Sequence, residues 1–176
     1  MKTLRKKLAA FTLIELLVVI SIIAVLASLA LPAVTGALVK GQITQTTSNY
    51  RQLYILTQTA SLDNQQAGTT NAGFPGEVGG LANWSNGLIN GGYITNTAFN
   101  SLWSVKGNSA NTVAYTVSSS SQPLDVFICT KNVDGGTMAN VEPYKLKGAA
   151  LVTVGGSAIS IVGTNINTNN YVWSTN

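Results

Sequence analysis

The run Phe11–Leu31, FTLIELLVVISIIAVLASLAL, is twenty-one residues long and contains one charged side chain, Glu15. A helix rises about 1.5 Å per residue, so this run spans roughly 31 Å, close to the thickness of a bilayer's hydrocarbon layer. It is apolar on every side, which an amphipathic surface helix is not. Lys2, Arg5, Lys6 and Lys7 lie just before it. Cations flanking one end of a span hold that end in the cytoplasm, so the expected topology is a cytoplasmic N-terminus with the remainder outside.

Three readings compete for this segment. A cleaved secretory signal would have a shorter apolar region, of about 7–15 residues, and an A-x-A pattern after it. Neither is present here. A plain membrane anchor explains the length and the flanking charge, but not Glu15. A carboxylate within a span costs on the order of 2.5–3.5 kcal/mol near the centre and less near an end, and usually has a partner. In the third reading the chain is cut between Ala10 and Phe11 on the cytoplasmic side. The new α-amino group on Phe11 is then a cation with a reference pKa of about 7.7–8.0. It lies one helical turn from Glu15, on the same face. In a stack of parallel helices the ammonium of one subunit can pair with the carboxylate of its neighbour. A mis-staggered neighbour leaves buried charge uncompensated, so the pairing sets register as well as partner.

The same leader accounts for the overall charge. The chain has ten basic and six acidic residues. From Phe11 onward six basic residues (Lys40, Arg51, Lys106, Lys131, Lys145, Lys147) balance six acidic ones (Glu15, Asp63, Glu77, Asp125, Asp134, Glu142). The basic balance thus belongs to the leader, and no nucleic-acid partner is expected. There is no histidine, which removes the usual general base and the commonest metal ligand. The single cysteine, Cys129, cannot form an intrachain disulfide, and its setting in Val126-Phe127-Ile128-Cys129 reads as core. Asp125 and Glu142 belong to no catalytic motif, and no P-loop, Gly-x-Ser-x-Gly or metal-ligand spacing occurs. Asp134-Gly135-Gly136 offers one carboxylate where calcium needs several oxygens, so it reads as a turn. The Asn83-Trp84-Ser85 sequon carries little weight in so Asn-rich a chain. Neither an enzyme nor a cofactor is expected.

KKLAA followed by FTLIELLVVISIIAVLASLALP resembles the N-terminal cleavage and methylation segment of type IV pilins and type II secretion pseudopilins. The family's Phe-Thr-Leu-Ile-Glu-Leu stands here as Phe11 to Leu16, and its helix-breaking proline as Pro32. The resemblance implies removal of the leader by a membrane aspartic peptidase and N-methylation of Phe11. It also implies assembly through Glu15 with copies of itself and related subunits, on an inner-membrane platform. The residue before the family's cut is usually Gly; here it is Ala10, the next smallest. The location implied is the bacterial inner membrane, with the globular domain periplasmic and later in a periplasmic or surface filament. A membrane-tethered periplasmic binding or enzymatic domain is the competing reading.

The expected fold is α+β, a long N-terminal helix packed on a small antiparallel sheet. Its divisions are a leader at 1–10, a membrane and filament-core helix at 11–32, a continuation at 33–62 and a globular domain at 63–176. Pro32 should kink the helix rather than stop it. Gly36, Gly41 and the threonines 44, 46 and 47 weaken the following turns. Ile43, Tyr50, Leu53, Leu56 and Ala60 suggest one apolar face ending near Leu62. Residues 63–83 read as a loop, and 83–105 as one or two short helices. Strands are expected over 112–117, 124–129, 149–154 and 157–162, the last two joined by a two-residue turn at Gly155-Gly156. The tail from Thr164 is an edge or a mobile end, with Tyr171 and Trp173 as anchors. A loose likeness to pseudopilin domains lies in the order Phe74-Pro75, Gly91-Gly92-Tyr93, then strands, and it favours a subunit of a type II secretion pseudopilus over one of a type IV pilus-like filament. It lacks the acidic calcium loop of major pseudopilins, and the disulfide loop of many adhesive pilins is missing too.

Overall fold

A computed structural model describes residues 11–163 and 170–173. The proposed leader, Ala10 included, and residues 164–169 and 174–176 lie outside the described residues. The chain divides into two compact units, one ending at Leu38 and the other beginning at Val39.

Helix α1 (Leu13–Ala67) contributes to both. In the first unit every residue from Phe11 to Leu38 is exposed, including the large apolar side chains of Leu13, Ile14, Leu16 and Leu17. Pro32 lies inside the helix, and Thr35 Oγ1 donates to the Pro32 carbonyl at 3.0 Å. Proline has no N–H to give to the turn before it, so the helix lacks one backbone bond there.

In the second unit α1 changes character. Ile43, Tyr50, Leu53 and Ala60 are buried as expected, and Leu56 is half-buried. The buried stripe also takes in Thr46, Thr47, Thr57, Ser61 and Asn64. Their polar side-chain groups are satisfied within the helix or by other segments. Thr47 Oγ1 donates to the Ile43 carbonyl at 2.9 Å and meets Ser160 Oγ at 2.8 Å. Thr46 Oγ1 meets the Tyr144 hydroxyl at 2.6 Å. The helix ends at Ala67, not near Leu62. Gly68 takes φ +67, Thr69 N donates to the Asn64 carbonyl at 2.9 Å, and Gly68 N donates to the Gln65 carbonyl at 3.4 Å. This pair of bonds around a left-handed glycine is a Schellman stop.

The connection 68–80 leads into α2 (Leu81–Asn90) and α3 (Asn96–Trp103). Thr95 caps α3 by accepting from Ala98 N at 3.3 Å. Strands β1 (Thr112–Ala114), β2 (Val126–Thr130), β3 (Gly148–Thr153) and β4 (Ala158–Val162) form an antiparallel sheet in the order 1-2-3-4. Its register aligns Val113 with Cys129, Cys129 with Leu151, and Leu151 with Ile159. β2 and β3 are buried at every position, so both faces are covered. The architecture is the expected α+β one, a long N-terminal helix packed on a four-stranded antiparallel sheet.

Some strand boundaries differ, with local causes. β1 stops at Ala114 because Val117 N turns back to the Tyr115 carbonyl at 3.0 Å. β2 begins at Val126, since Leu124 and Asp125 lie beside Val172 from the tail. The β3–β4 turn is longer than the two residues expected. Gly156 N donates to the Thr153 carbonyl at 2.9 Å and Thr153 N to the Ser157 carbonyl at 3.1 Å, with Gly156 at φ +79. This is a three-residue loop closed by a left-handed glycine.

An aromatic cluster fills the space beside the sheet. Phe74 and Trp84 meet Phe127 at centroid distances of 5.2 and 5.5 Å, and Trp84 also meets Phe99 at 5.5 Å. Edge-on pairs of this kind favour the ring quadrupoles.

Candidate functional site

The residues singled out for processing and assembly sit at the start of α1. Thr12 is the residue before the first helical position, and Glu15 lies in the first turn. Glu15 Oε2 accepts from Thr12 N at 2.9 Å and from Thr12 Oγ1 at 2.8 Å, while Glu15 N donates to Thr12 Oγ1 at 3.3 Å. These reciprocal bonds form a capping box, which satisfies N–H groups that a helix start otherwise leaves bare. Thr-x-x-Glu before an apolar run, Thr12 to Glu15, is the sequence signal of this box.

The box changes the reading of Glu15. The carboxylate has a local task in starting the helix, one that a plain anchor also needs. A cut before Phe11 leaves Thr12 N and Oγ1 intact, so the box survives it. Oε1 has no hydrogen-bond partner among the described residues, which leaves one carboxylate oxygen for a cation from elsewhere. Around it, Phe11, Ile14, Val18 and Val19 line a shallow apolar depression. An ion pair formed against such a surface is less screened than one in open water.

The helix beyond is apolar enough to cross a membrane. Exposed apolar surface of this extent is far beyond the few hundred Å² that soluble monomers present, and marks a membrane or protein contact.

The remaining sequence candidates fall into separate structural settings. Cys129 is fully buried, and burial, followed by the nearby Asp134 charge, pushes its thiol pKa up. Asp134 accepts from the Tyr115 hydroxyl, and Gly135 N donates to the same hydroxyl at 3.0 Å, so this turn is tied to the sheet. No cluster of three or more potential metal ligands occurs among the described residues. Asp125 Oδ2 accepts from Gln122 N at 2.9 Å, whereas Glu142 lies 3.5 Å from Lys106 and 3.6 Å from Lys145 on the surface. Asn83 Nδ2 donates to the Val78 carbonyl at 3.0 Å. Tyr171 and Trp173 pack on the core, the latter with its ring centroid 6.2 Å from that of Tyr115.

Glu77 was not singled out, yet it joins three segments. Oε2 accepts from Ser61 Oγ at 2.8 Å and Phe74 N at 2.9 Å, and Oε1 accepts from Ser119 N at 2.8 Å. Burial alone would raise its pKa, but bonds from Ser119, Phe74 and Ser61 outweigh it and lower the value.

Comparison with known proteins finds similarity over the segment that holds the first of these residues. The family described as "Prokaryotic N-terminal methylation motif" matches residues 5–31. The N-terminal segment carries a prokaryotic N-terminal methylation motif. The matched range contains Ala10, Phe11 and Glu15, with Pro32 just after it. The chain is also 36% identical over 76 residues to the type IV major fimbrial protein FimA of Dichelobacter nodosus, a match covering 43% of this chain. The match spans about half of that relative, 47% of its length. No solved structure matches the chain.

Proposed function

We propose that the chain is the structural subunit of a type IV pilus-like filament, held in the bacterial inner membrane by Phe11–Leu31 until it is assembled. The observation that carries this is the wholly exposed apolar start of α1, with one carboxylate in its first turn, inside a methylation motif. A prepilin peptidase cuts between Ala10 and Phe11 and methylates the new terminus. The leader's cations keep that end cytoplasmic, and the unit beginning at Val39 lies in the periplasm. An inner-membrane platform then moves the helix from lipid into a core of like helices. There Glu15 Oε1 receives the Phe11 ammonium of a neighbour while Oε2 keeps its bond to Thr12. Pro32 supplies a bend where the helix leaves the packed core. The role is structural rather than catalytic.

The fimbrial relative supports a surface pilus. A pseudopilus of type II secretion is the second reading, supported by the order Phe74-Pro75, Gly91-Gly92-Tyr93, strands. Deleting the gene separates them, since the first predicts lost surface fibres and the second predicts secreted enzymes retained in the periplasm.

The capping box dictates how Glu15 is tested. Alanine removes both the charge and the cap, whereas Gln keeps a capping side chain and removes only the charge. Glu15→Gln should insert into the membrane at the wild-type level and fail to enter filaments that wild-type subunits form. Normal incorporation of Glu15→Gln would overturn the pairing.

A further inference from the structure

A cleft of about 640 Å³ lies between α2 and the 68–80 connection, within the unit that begins at Val39. Its size suits a small ligand, since such sites run from about 300 to 1,000 Å³, but their lining is mostly apolar. Here the lining is amide-rich, with Asn71, Asn83, Asn86 and Asn90 on its walls and Tyr93 beside them. Among the described residues, no lysine, arginine, aspartate or glutamate lines it.

Helical spacing produces this wall. Residues 83, 86, 87 and 90 lie three or four apart and share one face of α2, while Trp84 and Leu88 are buried in the core. Gly87 lets the connection approach that face, because a Cβ there would fall 2.5 Å from the Asn71 carbonyl oxygen and 3.1 Å from Ala72 Cα. Gly91 likewise leaves room for the Tyr93 ring, which would be 2.8 Å from an added Cβ. Some of the amides hold the fold. Asn64 Nδ2 donates to the Ala60 carbonyl at 2.7 Å and its Oδ1 accepts from Thr69 Oγ1 and Asn71 N, while Asn83 Nδ2 is engaged by Val78. The side chains of Asn71, Asn86 and Asn90 bond to no other described residue. Each offers two N–H donors and a carbonyl acceptor to the cleft.

We propose that this cleft binds a neutral saccharide. Primary amides match the paired donor and acceptor character of neighbouring ring hydroxyls, and the Tyr93 ring offers a surface for the apolar C–H face of a pyranose. Asp63 accepts from the Tyr93 hydroxyl at 3.1 Å and sets negative charge at that end, which opposes acidic sugars. The site lies wholly in the second unit and stands whether or not the chain polymerises.

The test is saturation-transfer NMR on the full chain, purified in a zwitterionic detergent without a sugar headgroup. The probes are the methyl glycosides of glucose, galactose, mannose and N-acetylglucosamine, with N-acetylneuraminic acid as the charged comparator. At least one neutral glycoside should bind with a Kd on the order of millimolar. The variant N86A/N90A should weaken it about tenfold or more through loss of hydrogen bonds. Both positions are exposed on a helix where alanine is favoured, so the melting temperature should not fall. Absence of binding by every neutral glycoside, undiminished binding by N86A/N90A, or equal binding of N-acetylneuraminic acid would each overturn the proposal.

Discussion

Replacing Thr57 by Val should loosen the second unit chiefly through one of the two buried bonds its hydroxyl makes. Trp84 Nε1 donates to Thr57 Oγ1 at 2.9 Å, and Thr57 Oγ1 donates to the Leu53 carbonyl at 2.8 Å. Thr57 is fully buried and Trp84 is 1% exposed, so water cannot replace the hydroxyl. Valine fills the same volume and has similar helix propensity, which leaves the orphaned indole N–H as the main cost. An unsatisfied buried donor costs about 1–3 kcal/mol. For a domain of this size that corresponds to a fall of about 3–10 °C in Tm. The assay is thermal unfolding of the full chain in detergent, followed by tryptophan fluorescence and near-UV circular dichroism. A double-mutant cycle isolates the bond, because Trp84→Phe removes the donor beforehand. Thr57→Val should therefore cost at least about 1 kcal/mol less in the Trp84→Phe background, by the same hydrogen-bond scale. Equal costs in the two backgrounds would refute the reasoning, since the bond would then contribute nothing specific.

Two further outcomes follow from the titrating groups. The folded pKa of Glu77 is lowered, so its contribution is present above the unfolded carboxylate value of about 4.3 and disappears as pH falls through the lower folded value. Glu77→Gln should lower Tm at pH 7, and the deficit should shrink as pH drops below about 4 in paired melts. Cys129, buried and with its thiol pKa raised, should resist a maleimide at pH 7 in the folded chain and react on denaturation, as read by mass.

Much of the fold was legible because its signals are periodic. The apolar run of α1 and the stripe through Ile43, Tyr50 and Leu53 are patterns that burial requires. What escaped depends on chemistry between segments. Thr46 and Thr47 read as poor helix formers, yet they lie on the buried stripe because Tyr144 and Ser160 share hydrogen bonds with their hydroxyls. Those partners are distant in sequence, so propensity alone pointed the wrong way. The end of α1 was missed for a different reason. Gly68 stood in a run of Gly, Asn, Gln and Thr, where a helix stop looks like loop composition.

The candidate site was legible in its residues and incomplete in its geometry. Glu15 attracted notice as a lone charge in an apolar run, and the family match covers its segment. Its bonds to Thr12 give that carboxylate a local role as well, which changes the decisive substitution from alanine to glutamine. The amide-lined cleft left no mark in the chain order, because Asn71 and the α2 asparagines meet only after α2 packs across Gly87.

The central claim is that a cut at Ala10–Phe11 creates the cation that Glu15 receives. Intact-mass and N-terminal fragment analysis of subunits purified from native membranes or fibres tests it most directly. The account predicts a chain that starts at Phe11 and carries one methyl group on its amino nitrogen. A chain that still starts at Met1, or one cut beyond Leu31, would contradict it.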